Sequence, residues 1–245
     1  MEKANNHNKH IEDTISENKI NIEAIALSRI TAMIVHDIKN PLNNILLTCS
    51  AMEEMQLQDE QKDCVDLIRR NSNRINALMN ELSMATTDLR LNLQPVNIHT
   101  LLEEVLRSVK GSNRFNEIVV HGNYEVNVPQ QFVDAALMEK ALFNIVVNAF
   151  EAVDEKKGIV TITTKTTDRE NCVIEVQDNG SGIAENSEAE IFEPCFSTRP
   201  GRHGLGLTIA KNVLQQHKGS LSLLKTNNEG SLFVIRLNNT KKTAV

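Results

Sequence analysis

From Asn21 to about Gln56, apolar residues recur every three or four positions, the spacing of one helical face. Ile30, Met33 or Ile34, Ile38, Leu42 and Ile45 form an apolar stripe. Arg29, Ala32, His36, Asn40 and Asn43 share a different, mostly polar face, so the spacing predicts that His36 points outward. Leu57-Gln58-Asp59 is a short connection, with Asp59 placed to cap the next helix. That second helix is expected to reach about Leu89, with Val65, Ile68, Ile75, Leu78 (or Met79) and Leu82 on one stripe. Two helices joined this closely form an antiparallel hairpin. Their stripes are too much for two helices to hide, so the hairpin is expected to dimerise as a four-helix bundle.

Beyond the boundary at Asn92 to Val96 the pattern alternates. Asn97 is expected to cap a helix reaching Val109, and Asp134 one running from Ala135 to about Val153. Ile118 to Val120, Ile159 to Thr166 and Cys172 to Gln177 read as strands, the last two alternating and rich in β-branched residues. A helix from Gly206 to about His217 and strands over Ser220 to Leu224 and Ser231 to Leu237 close the region. Mostly antiparallel strands alternating with helices predict an α+β sandwich with its helices on one face. Punctuation agrees. All ten glycines lie at or beyond Gly111, and Pro41 is the only one of five prolines before position 95, so the turns belong to the second part. The expected organisation is a polar leader over 1–20, a hairpin over 21–91, a mixed domain over 96–238 and a tail over 239–245.

Composition narrows the function. The 245 residues allow one large or two modest domains, and 40% apolar content supports real cores. A net charge of −6 argues against a nucleic-acid binder held by phosphate contacts. No run of about 18 apolar residues predicts a membrane span, and the N-terminus has no apolar signal stretch. Cys49, Cys64, Cys172 and Cys195 lack zinc or C-x-x-C spacing, so they read as reduced thiols of a cytoplasmic protein.

Five segments carry candidate chemistry. His36-Asp37-Ile38-Lys39-Asn40-Pro41 sets an imidazole beside a carboxylate, in a helix that Pro41 is expected to bend at a cost of ~3 kcal/mol or more. Asn144 and Asn148, four apart, put two amides on one helix face, where their oxygens suit Mg²⁺. The plainer reading is two solvated asparagines. Asp178-Asn179-Gly180-Ser181-Gly182 puts a carboxylate at a strand end with backbone close around it, fit to accept from an exocyclic amine such as that of adenine; a simple Asn-Gly turn is the alternative. Phe192 to Arg199, continuing to Arg202 and His203, is non-periodic and reads as a mobile lid, with Arg199 and Arg202 as candidates to neutralise charge. Gly204-Leu205-Gly206 then opens a helix whose N-terminus can receive phosphate.

In this order, the five segments resemble the motifs of bacterial two-component sensor histidine kinases, over about Ala24 to Leu237. His36 to Leu42 resembles their phosphoacceptor box, Asn144 to Asn148 the N box, Asp178 to Gly182 the G1 box, Phe192 to Phe196 the F box and Gly204 to Leu207 the G2 box. The flavour is closest to the nitrogen-regulation sensors. The resemblance implies a dimerisation and phosphotransfer hairpin followed by an ATP-binding domain of the gyrase, Hsp90 and MutL type. It implies that ATP binds with its adenine on Asp178 and with Gly180, Gly182, Thr198, Arg199, Arg202, Gly204, Leu205 and Gly206 around it. Asn148, with Asn144, would hold Mg²⁺. His36 would attack the γ-phosphorus while Asp37 takes the proton or orients the ring. The phosphoryl group would pass to an aspartate on a separate response regulator, and Asn40 would position water for regulator dephosphorylation.

An amide at position 144, where hydrolytic relatives carry a carboxylate base, fits delivery to His36 rather than ATP wastage. Position 151 is Glu where many sensor kinases have a phosphate-contacting Lys, a gap that Arg199 or Arg202 would fill. His203 stands where glycine is frequent. No sensory or receiver segment is evident, so the signal is expected through a partner, the N-terminal tail or a part outside this chain. The main alternative is a dimeric phosphorelay or phosphatase scaffold with little autokinase activity. A serine kinase of the anti-sigma type, sharing only the ATP domain, is a further one, and the helical hairpin argues against it.

Overall fold

The structure, a computed structural model, describes residues 30–55, 57–111, 115–167, 171–184, 187–199 and 202–238. The expected leader, the helix start over 21–29 with Arg29, the helix end at Gln56 and the tail from 239 lie outside these. The chain divides into two compact units between Thr87 and Asp88.

In the first unit, helix α1 covers residues 30–53 and runs unbroken through Pro41. Helix α2 comes next as Asp59–Thr86, three residues short of the expected end at Leu89. The expected cap at Asp59 is corrected. Gln58 is the N-cap, its N–H donating to Gln61 Oε1 at 3.0 Å, while Asp59 is the first helical residue and accepts from Lys62. One helical step separates the two positions, and a carboxylate in the first turn favours the positive end of the helix dipole just as well. Arg69 ties α2 to α1 through Glu53 and also pairs with Asp66.

The seam within one hairpin differs from the expected stripes. On α1 the buried positions are Thr31, Val35, Leu42 and Cys49, a near-heptad repeat, and on α2 Val65, Ser72 and Ala85. Of the α1 stripe read from sequence only Leu42 is buried. Ile30, Met33, Ile34, Ile38 and Ile45 are exposed, as are Ile68 and Ile75 on α2. A seam between two helices needs only one narrow line of side chains, so the small and β-branched residues take it.

The second unit begins with β1 (Gln94–Val96), a strand not expected from the sequence, which pairs antiparallel with β3 (Gln131–Val133). Helix α3 (Ile98–Lys110) starts where expected, the Asn97 side chain accepting from the N–H groups of His99 and Thr100. After β2 (Val119–Tyr124) and β3 comes α4 (Ala135–Ala152), capped by Asp134, whose Oδ1 accepts from Leu137 N–H at 3.1 Å. Strands β4 (Ile159–Thr166) and β5 (Cys172–Asp178), helix α5 (Gly206–Gln216), and strands β6 (Ser220–Asn227) and β7 (Gly230–Leu237) complete it. The five-stranded sheet has the order β2-β4-β5-β7-β6, antiparallel except for the β2–β4 pair.

Alternation along β4 and β5 turns one sheet face inward: Val160, Ile162 and Thr164 opposite Asp178, Val176 and Ile174. The other face carries a solvent-side ion pair, Lys165 with Glu175 at 2.9 Å. Onto the inward face packs α4, through fully buried Met138, Leu142, Ile145, Val146 and Ala149, flanked by α3 and α5. Each such aliphatic side chain contributes about 1.5–3 kcal/mol on burial, which makes α4 the rigid spine of this unit. Asp134 also anchors neighbours. Its Oδ2 accepts from Asn92 N–H, and its own N–H donates to Nε2 of buried His217, whose Nδ1 meets Val213 O.

Candidate functional site

His36 and Asp37 lie mid-helix on α1 with side chains 74% and 69% exposed, as the polar face predicts. His36 Nδ1 is 3.3 Å from Asp37 Oδ1. A carboxylate only accepts, so this contact favours the tautomer with its hydrogen on Nδ1 and its lone pair on Nε2. Asn40, one turn on, and Asn43 are exposed as well. The pair is weak as an ion pair in water, so its value is orientation rather than stability.

The remaining site residues gather in the second unit around the C-terminal half of α4. Asn144, Asn148 and Glu151 lie at steps of four and three, on one helix face. Asp178 ends β5 and is 2% exposed. Its Oδ1 accepts from Gly180 N–H at 2.8 Å and from Ser231 N–H at 3.3 Å. Its Oδ2 is buried with no hydrogen-bond partner among the described residues. Burial pushes this carboxyl above its ordinary range, and the two N–H donors and the Arg199 charge offset only part of that.

Three glycines are required by close approach. A Cβ on Gly180 would sit 2.3 Å from Ala152 O at the end of α4. One on Gly182, at φ +70°, would meet Asn227 O at 2.0 Å, and one on Gly204, at φ +66°, would meet Phe196 O at 2.3 Å. Only a residue without a side chain lets backbone pack so tightly. The loop after β5 thus seals onto α4, with Ser181 N–H donating to Ala152 O. Gly206, the first residue of α5, comes within 3.7 Å of Asn144 Cβ by the same measure. Buried Leu205 precedes it with no side-chain cap, leaving the first N–H groups of α5 without one.

The segment leading to α5 is pinned at one end by Phe192, whose ring stands edge-on to Phe233 and under Lys211 Nζ. At the other end both arginines turn back to α4. Arg199 Nη1 lies 3.2 Å from Glu151 Oε2, and Arg202 Nη2 pairs with Glu151 Oε1. Thr198 and His203 are exposed. Asn144 Nδ2 is buried without a hydrogen-bond partner among the described residues.

The sequence did not mark Ser231, Thr226 or Gly230. Ser231 supplies a donor to Asp178, and Thr226 Oγ1 accepts from Ile183 N–H at 2.7 Å while lying 3.2 Å from Ser231 Oγ. They sit about fifty residues from Asp178, and a Gly-Ser pair heading a strand signals only a hairpin.

A family model described as "Histidine kinase-, DNA gyrase B-, and HSP90-like ATPase" matches residues 133–241, and one described as "His Kinase A (phospho-acceptor) domain" matches residues 26–89. The chain belongs to the sensor histidine kinases. It is 27% identical over 214 residues to sensor histidine kinase ZraS of Salmonella typhi, covering 87% of this chain and 46% of that protein. To the sensory histidine kinase/phosphatase NtrB of Vibrio alginolyticus it is 29% identical over 200 residues, covering 78% and 56%. Among solved structures, full-length ShkA in complex with AMPPNP aligns with a TM-score of 0.69 at 25% identity, covering 84% of this chain and 45% of that one. The chain spans about half the length of the curated relatives it matches. The sensor kinase assignment fits the helical hairpin followed by an α+β ATPase-type domain, and no helix among the described residues is long and apolar enough to cross a membrane.

Proposed function

We propose that this chain autophosphorylates on His36 from ATP and passes the phosphoryl group to an aspartate of a separate response regulator. The observation that carries this reading is the buried Asp178 Oδ2, an acceptor with no partner among the described residues, in the unit that also holds Asn144, Gly206 and the two arginines. A carboxylate oxygen so placed suits an exocyclic amine such as that of adenine. The first turn of α5 and the two guanidinium groups supply N–H donors for a triphosphate.

In the reaction, Nε2 of His36 forms the N–P bond as the bond from the γ-phosphorus to its bridging oxygen breaks, and ADP leaves. The proton on Nδ1 passes to Asp37 or water. Positioning and charge neutralisation supply most of the acceleration in such transfers. Asn148 and Asn144 would hold Mg²⁺ through amide oxygens. No cluster of three or more His, Cys, Asp or Glu competes among the described residues, and an ion kept by amides, water and phosphate oxygens fits that donor set. Mg²⁺ would neutralise phosphate charge there.

Asn40 lies one turn beyond His36 and would position water for dephosphorylating the regulator, giving a kinase and phosphatase in one chain. The working form would be a homodimer through the exposed apolar face of the hairpin, acting in the cytoplasm where ATP is supplied, with the stimulus arriving through a sensory partner or segment.

Incubation with γ-labelled Mg-ATP tests the reading. Wild-type protein should take up an acid-labile label, and His36→Gln should take up none. Equal labelling would end the proposal. In the same assay Asn40→Ala should label normally yet dephosphorylate its regulator about 100-fold more slowly, the lower end of what a positioned proton-transfer group contributes.

A further inference from the structure

Glu151 stands in the last turn of α4 with its side chain only 8% exposed. A carboxylate there faces the negative end of the helix dipole and loses its hydration, two unfavourable terms. Two cations offset them, Arg199 on Oε2 and Arg202 on Oε1. One arginine, bidentate, would satisfy a buried carboxylate. Here each oxygen takes a different arginine, two cations to one carboxylate. Each guanidinium has five N–H donors in a fixed plane. The two side chains stay 36% and 51% exposed, so an anion from solvent can reach both guanidinium planes. The charge of Arg199 is felt at Asp178, so the cluster and the buried Asp178 oxygen belong to one site.

We propose that Glu151 is a positioning residue: it holds Arg199 and Arg202 together so that they receive the terminal phosphates of the nucleotide. The inference rests on the nucleotide-binding reading above. The physical gain is pre-organisation. An arginine side chain is rich in rotamers and loses that freedom when it closes on a ligand; the carboxylate removes much of it beforehand. Glu151 touches no reacting atom; it acts through the arginines.

Calorimetric titration of the full chain with Mg²⁺ plus a non-hydrolysable ATP analogue, and separately with Mg-ADP, tests this. Glu151→Gln should weaken triphosphate binding about tenfold, the worth of one charge-assisted contact, and ADP binding much less. Its thermal transition should persist, since the change relieves an unfavourable charge at the helix end. Glu151→Met provides a second variant of similar volume and should behave alike. In an Arg199→Gln/Arg202→Gln background, adding Glu151→Gln should cost nothing further, because the group it acts through is gone. Wild-type-like triphosphate affinity in a folded Glu151 variant overturns the role of Glu151 and leaves the kinase reading standing. So does tighter binding, which would make Glu151 a competitor of phosphate. A wild-type protein that binds neither nucleotide sinks the kinase reading and this inference together.

Discussion

At the scale of single residues, a buried carboxylate oxygen with no donor is costly, and Asp178 keeps one that has none among the described residues. Burial holds the folded carboxyl above the ordinary value of 3.8. The folded state therefore holds this proton more tightly than the unfolded state. The group favours folding at low pH, and that contribution is lost as pH rises through the raised folded value. Asp178→Asn should accordingly show a Tm at pH 7 equal to or above wild type, with the gap closing as pH falls from neutrality toward 3.8. The same variant should bind nucleotide about 10- to 100-fold more weakly, matching the ~1.5–3 kcal/mol of a hydrogen bond to a charged group. Paired thermal scans and titrations check both, and a variant that lost stability while keeping affinity would contradict the assigned role. His36 is the opposite kind of residue, exposed beside its neighbour Asp37, which is why its spacing on the helix was enough to place it on the outward face.

At the scale of elements, caps and alternation are local physics and were readable. Asn97 and Asp134 cap α3 and α4 where expected, and β4 has the expected bounds. Strands β1 and β3 were not readable. Each is three residues long, too short for a period to emerge, and β1 contains Pro95. The β6–β7 turn shows how an element supports the site. Gly230 has φ +125°, and a Cβ on it would meet Asp178 O at 1.9 Å. Gly230→Ala should destabilise the chain by about 2–4 kcal/mol through backbone strain and overpacking. Urea denaturation measures it; an unchanged midpoint would show that the turn can relax away from Asp178.

At the scale of the whole molecule, the hairpin leaves a row of large apolar side chains in water, among them Met33 at 59%, Ile34 at 45% and Leu67 at 55% exposed. Large apolar side chains left in water suit the interface that the proposed homodimer requires. Light scattering should give twice the chain mass for wild type, and Ile45→Lys with Ile75→Lys should give a monomer with the hairpin still helical by circular dichroism. A monomeric wild type at micromolar concentration would exclude the four-helix bundle.

Periodicity, capping residues and glycine placement were enough to set the element types, the hairpin and the mixed domain, because each depends on neighbours within about one helical turn or one strand pair. The five ordered motifs likewise pointed to the family, since a short segment carries its own backbone geometry. Folding alone brought Ser231 to Asp178, chose Val35 and Cys49 beside Leu42 over the rest of the expected stripe as the seam, and turned Glu151 from a missing cation into the anchor of two arginines. Those outcomes depend on contacts between residues dozens of positions apart, where burial and charge pairing act across space and leave no mark in the spacing along the chain.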